Sequence, residues 1–169
     1  MMASVAAREL ADGEVVFVGI GLPNLACNLA RRTHAPNLVL IYESGAVGAT
    51  PTRLPGSGGA AEIAIHAQRI LIVSKLSPRA FPERVDFLTS PGERVAKVIT
   101  DKGVLERDAE NGGGELVLAA LYPGVEMSDV HVGWKLRCRS RLSRLEPPTK
   151  LELQLLRDVL DPQRLYLKS

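Results

Sequence analysis

Apolar residues in this chain follow two rhythms: short β-branched runs bounded by turn residues, and stretches in which they recur every three or four positions. Residues 5–11 follow the second rhythm. Ala6, Ala7 and Leu10 share one face, Ser4 stands at the N-cap position, and Asp12-Gly13 ends the helix. Residues 14–18 predict a buried strand. The tight loop Gly19-Ile20-Gly21-Leu22-Pro23 then leads into a helix over residues 24–32, with Leu25, Ala26 and Leu29 inward. After the turn His34-Ala35-Pro36-Asn37, residues 38–42 form the next strand. Strand, helix and strand in this order imply a βαβ unit, a parallel sheet and a right-handed crossover.

Downstream, residues 45–59 are rich in Gly, Pro, Ser and Thr and predict a long loop running into a short helix over residues 60–67. Strands follow at residues 70–74, 86–88 and 95–100. Asp101-Lys102-Gly103 makes a hairpin turn into Val104-Leu105-Glu106, and Asn111-Gly112-Gly113-Gly114 makes a second turn into a strand over residues 115–121. Pro147-Pro148 marks a linker. Thr149 caps a final helix over residues 150–160, with Leu151, Leu155 and Val159 as its apolar stripe.

At 169 residues the chain suits a single domain, residues 1–169, and its 46% hydrophobic and 24% charged composition is that of a soluble protein. A net charge of +2 gives no reason to expect a polyanion. The basic run over residues 135–144 reads as a solvated face or a subunit contact. No aromatic residue interleaves with it to stack nucleic-acid bases. Cys27 and Cys138 form no CxxC, and His34, His66 and His131 are scattered, so no metal site is expected. No apolar run reaches membrane-spanning length and the start lacks signal character, so a cytoplasmic, reduced protein without a membrane partner is expected.

Two glycine loops and one acid carry the candidate chemistry. Gly19-Ile20-Gly21 follows a strand and opens a helix, as half a dinucleotide fingerprint would, but position 24 holds Asn24 in place of the third glycine. Gly56-Ser57-Gly58-Gly59-Ala60 lets backbone N–H groups converge ahead of a helix N-terminus. It reads either as an oxyanion-binding nest or as a plain loop. The run Val39-Leu40-Ile41-Tyr42 ends on Glu43, followed by Ser44 and Gly45. Glu43 reads either as a nucleophile at a strand's carboxyl end or as a solvated loop acid. A carboxylate beside oxyanion donors has what covalent acyl transfer requires.

In order along the chain, these segments resemble the B (beta) subunit of family I CoA-transferases of the glutaconate CoA-transferase type. Gly19-Ile20-Gly21-Leu22-Pro23 is similar to the family's GxGxP loop, Glu43-Ser44-Gly45 to its catalytic Glu-Ser-Gly, and Gly56–Ala60 to its GxGGA loop. Val85–Gly92, Thr100–Val104, Leu121–Gly124 and Asp161-Pro162 fit downstream segments. The resemblance spans nearly the whole chain. It implies an open, mainly parallel α/β sheet flanked by helices, and an A (alpha) subunit completing the site in a hetero-oligomer. Coenzyme A is then substrate, with no permanently bound cofactor.

The same resemblance implies that Glu43 is the nucleophile, passing through a glutamyl-CoA thioester to move CoA between an acyl-CoA and a carboxylic acid. Gly58 and Gly59 would bind the oxyanion, Ser44 and Gly45 the substrate, and Gly19 and Gly21 the coenzyme. One departure is large. The family carries many tens of residues between its Glu-Ser-Gly and GxGGA segments, whereas Gly45 and Gly58 lie close together here, so a core segment is missing. A second family loop is missing near Gly92-Glu93. Two other readings stand beside transfer: a hydrolase subunit of the same fold that opens cyclic, steroid-ring-derived CoA esters, and a subunit that only supports its partner.

Overall fold

The computed structural model describes residues 1–42, 60–88, 90–108 and 114–167. Along the chain run α1 (Met2–Arg8), β1 (Val15–Phe17), α2 (Leu22–Thr33), β2 (Val39–Ile41), α3 (Ala60–His66) and β3 (Ile70–Val73). Then come β4 (Val95–Ile99), β5 (Gly103–Arg107), β6 (Leu116–Leu121), β7 (Cys138–Arg144) and α4 (Lys150–Gln154), which continues as a π-helical segment, Leu155–Leu160. Two compact units result. One draws on Met1–Gly59 and Pro148–Ser169, the other on Ala60–Pro147.

In the first unit α1 packs along α2. Helix α1 starts earlier than the expected residues 5–11. Met1 is its N-cap, and Ser4 lies buried inside the helix with its hydroxyl unpartnered among the described residues. The small residues Ala3, Ala6 and Ala7 bury so completely that the helix seats itself by packing rather than by a side-chain cap. Pro23 sits in the first turn of α2, where no N–H partner is required, and Leu25, Ala26 and Leu29 point inward as predicted. His34 closes α2. Its Nε2 lies 3.1 Å from the Leu10 carbonyl and its Nδ1 2.9 Å from Thr33 Oγ1.

Strand β1 pairs in parallel with β2, Phe17 opposite Ile41, which completes the predicted βαβ unit. The expectation of a buried strand over residues 14–18 is corrected: Val15 is 65% exposed and Phe17 39%. Among the described residues β1 has one neighbour, so nothing else on the sheet covers it.

The last helix is also corrected. Thr149 caps α4 as predicted: its Oγ1 accepts from Glu152 N at 3.2 Å, and the Glu152 carboxylate accepts from Thr149 N at 2.6 Å. The buried stripe, however, is Glu152, Leu156 and Leu160, while Leu151 and Val159 are exposed. Arg8 donates to both Glu152 oxygens, at 2.9 and 2.6 Å, and this pairing turns the glutamate inward and rotates the stripe by one position.

The second unit is a five-stranded sheet in the order β3-β4-β5-β6-β7. β3 and β4 are parallel, β4–β5 and β5–β6 antiparallel, and β6–β7 parallel. Three of the five strand pairings among the described residues are therefore parallel. With flanking helices this is the expected α/β fold. Val98, Leu105, Leu118 and Leu121 form its core. The predicted turn into β5 is tied by Thr100, whose hydroxyl donates to the Gly103 carbonyl at 2.8 Å and accepts from the Lys102 and Gly103 amides.

One expectation fails in this unit. Residues 86–88 form no strand: Phe87 and Leu88 are exposed, and prolines stand nearby on both sides. The basic run is the solvated face expected of it: it contains β7, a mostly exposed edge strand among the described residues, and Arg139 within it and Arg137 just before it pair with acids of the same unit. Arg139 meets Glu106 at 2.6 Å and Arg137 meets Glu115 at 2.6 Å.

Candidate functional site

The parallel register places the carboxyl ends of β1 and β2 side by side. Beyond the ladder, the Val18 amide still donates to the Ile41 carbonyl at 2.9 Å. From these two adjacent ends the chain departs into Gly19-Ile20-Gly21 on one side and past Tyr42 on the other. The crevice outside the carboxyl ends of parallel strands is where α/β sheets hold ligands.

Of the expected site residues, Gly19 and Gly21 are both in the first of these loops. Gly21 is the N-cap of α2 and takes φ +85°, a conformation that a side chain disfavours. A Cβ built on it would lie 3.9 Å from Cδ1 of Tyr166, so the tyrosine ring flanks the loop. Among the described residues, nothing lies within 4 Å of the corresponding position on Gly19. Glu43, Ser44, Gly45, Gly58 and Gly59 lie outside the described residues.

The roots of the two exits are joined by buried polar groups. The Tyr42 hydroxyl donates to Asn24 Oδ1 at 3.1 Å. Asn28 Nδ2 donates to the same oxygen at 2.9 Å and to the Asn24 carbonyl at 3.0 Å. Burial pushes the Tyr42 hydroxyl above its ordinary pKa of 10.0, so it keeps its proton and can donate. The neighbouring Cys27 thiol is pushed up to about 12 by burial, which makes it inert as a nucleophile near neutral pH.

Tyr166 is held by a carboxylate. Asp161 is buried and accepts from the backbone amides of Leu165, Tyr166 and Leu167 at 2.8, 3.0 and 2.8 Å. Burial alone would raise its pKa, but the three N–H groups together outweigh it and hold the carboxyl below 3.8.

Sequence reasoning missed Asn24, Asn28, Tyr42 and Tyr166 as parts of this region. The signal for the first two was available: Asn24 and Asn28 are four apart on the same helix, in line with the inward face. Tyr166 carried no local signal, because its place depends on the fold of residues distant in sequence.

Over residues 1–57 the chain matches the Coenzyme A transferase family. The B (beta) subunit of 3-oxoadipate CoA-transferase from Pseudomonas knackmussii is 32% identical to it over an alignment covering 93% of this chain and 90% of that protein. The chain belongs to the family I CoA-transferases, on the B (beta) side of the pair. Among solved structures, glutaconate coenzyme A-transferase from Acidaminococcus fermentans is similar at a TM-score of 0.88 and 24% identity, covering 100% of this chain and 96% of that one. The decarboxylase AibA/AibB is similar at a TM-score of 0.79 and 21% identity, covering 98% of this chain and 95% of that one. At that identity the likeness concerns the fold, and this fold serves more than one chemistry.

The alignment with the 3-oxoadipate relative runs over 237 positions, whereas this CoA-transferase chain has 169 residues. At least 68 aligned positions therefore have no residue here.

Proposed function

We propose that this subunit moves CoA between an acyl-CoA thioester and a carboxylic acid through a glutamyl-CoA thioester on Glu43. The observation that carries the reading is the side-by-side placing of the β1 and β2 carboxyl ends, in a chain whose relative belongs to a CoA-transferase. A glycine loop leaves one end, and the chain leaves the other one residue before Glu43.

In the first step a Glu43 carboxylate oxygen attacks the thioester carbonyl. The C–S bond breaks, giving a mixed anhydride and CoA thiolate. The thiolate then attacks the glutamyl carbonyl, the anhydride C–O bond breaks, and the first acid leaves as a carboxylate. A second carboxylate reverses both steps and departs as its CoA ester. One thioester is exchanged for another, so no external energy source is needed. Gly58 and Gly59 amides would stabilise each tetrahedral oxyanion, an effect of about 3–4 kcal/mol per donor. Ser44 and Gly45 would contact substrate, and Gly19 and Gly21 the coenzyme. An A (alpha) subunit would complete a cytoplasmic hetero-oligomer. Coenzyme A would be substrate, with no resident cofactor. No helix among the described residues is long and apolar enough to cross a membrane.

The test is mass spectrometry of the complex with its alpha partner after incubation with acyl-CoA. A CoA adduct on Glu43, reducible by borohydride and absent in Glu43→Gln, is expected. An unmodified Glu43 in a complex that binds acyl-CoA would sink this reading. A supporting subunit without chemistry of its own is the second reading. It is favoured by the absent aligned positions, and predicts a complex that assembles and leaves Glu43 untouched.

A further inference from the structure

Asn24 occupies the position where a dinucleotide fingerprint would carry its third glycine, and its side chain does what a glycine could not. It is the first residue after Pro23, at the root of the glycine loop. Its Oδ1 accepts from the hydroxyl of Tyr42, the last residue of the β2 run, at 3.1 Å. This side-chain contact spans the two chain exits at the carboxyl ends of β1 and β2. Asn28 supports it from one helical turn below, with 2.9 and 3.0 Å bonds to Asn24.

The set is not the arrangement that stability alone would favour. Asn24, Asn28 and Tyr42 are all buried, and Asn28 Oδ1 has no hydrogen-bond partner among the described residues. Leaving a buried acceptor bare is costly, and apolar side chains of similar size would fill this helix–strand contact without that cost. Local rules broken in a core without a stabilising return are characteristic of functional positions.

We propose that Asn24 and Tyr42 are positioning residues for CoA transfer, their bond fixing the glycine loop relative to the carboxyl end of β2. The inference rests on the transfer reading above. Neither residue is assigned a bond to be made or broken. Each sets the distance between the backbone that would receive the coenzyme and the strand end that leads to Glu43. Small displacements of reacting groups slow chemistry steeply while leaving ground-state binding largely intact.

The test uses Tyr42→Phe, Asn24→Leu and the double variant in the alpha–beta complex, with acetyl-CoA as donor to succinate and succinyl-CoA as donor to acetate. Tyr42→Phe should lower kcat about tenfold with KM changed by less than about twofold. The double variant should be little slower than the poorer single one, because both remove the same bond. A kcat within about twofold of wild type, even with a lowered Tm, would overturn the proposal, as would fully additive losses. Should the wild-type complex show no turnover at all, the transfer reading fails, and amide exchange then decides the tie separately. Faster exchange at Val18 and Leu25 in Tyr42→Phe, with Leu105 unchanged, would retain the tie as a fixing contact. Unchanged exchange at Val18 and Leu25 would remove it.

Discussion

Strands β1 and β5 both carry apolar residues and meet opposite fates. Val15-Val16-Phe17 is wholly apolar, yet Val15 and Phe17 are exposed. Val104-Leu105 sits in a mixed strand and is buried almost completely. The difference is in their neighbours. β5 is flanked by β4 and β6, both antiparallel to it, and Leu105 packs with Leu118 and Leu121. β1 pairs with β2 alone among the described residues. Apolar character proposes burial, and the count of neighbouring strands decides it. The relative that aligns with this chain carries at least 68 further positions inside the matched region.

The contrast can be broken at several strengths. Leu105→Ala should cost about 2–5 kcal/mol, since the cavity opens in a fully packed core. Urea unfolding would show it as a lower midpoint at unchanged slope. Arg8→Ala should cost about 1.5–3 kcal/mol, because it strips two charge-assisted bonds from the buried Glu152 carboxylate. Thermal unfolding of the variant checks this. If the loss were negligible, α4 would owe its rotation to packing and not to the ion pair.

A smaller effect follows from Asp161. Its folded pKa lies below 3.8, so its contribution is whole above that pH and is lost as the pH falls through the folded value. Protection of the Leu165, Tyr166 and Leu167 amides should therefore fall on acidification before that of Leu105 and Leu118. Simultaneous loss would show that Asp161 holds nothing locally. The smallest effect belongs to Val15→Thr, expected within about 0.5 kcal/mol because that side chain is already in water. A loss comparable to that of Leu105→Ala would mean that β1 is covered in solution.

The legible parts of this fold were those governed by local rules. α2 followed from Leu25, Ala26 and Leu29 with Pro23 at its start. The Thr149 cap and the Thr100–Gly103 turn followed from short-range side-chain chemistry. A long-range pairing produced one misreading. Glu152 reads as a solvent-facing residue until Arg8, far away in sequence, draws it inward. At the site, Gly21 was legible because a positive φ at a helix start selects glycine. The Tyr42–Asn24 bond joins two residues that each look ordinary alone.

The pairing of Arg8 with Glu152 joins positions 144 residues apart, while the five-stranded sheet is drawn from one continuous stretch. A chain emerging from the ribosome can therefore close the sheet unit first. The unit bearing the glycine loop must wait for α4 before it is whole. Until then the faces of α1 and α2 that α4 and its π-helical extension cover are open to other chains. A pause or a premature stop upstream of Thr149 would release a molecule with a finished sheet and an unfinished candidate site.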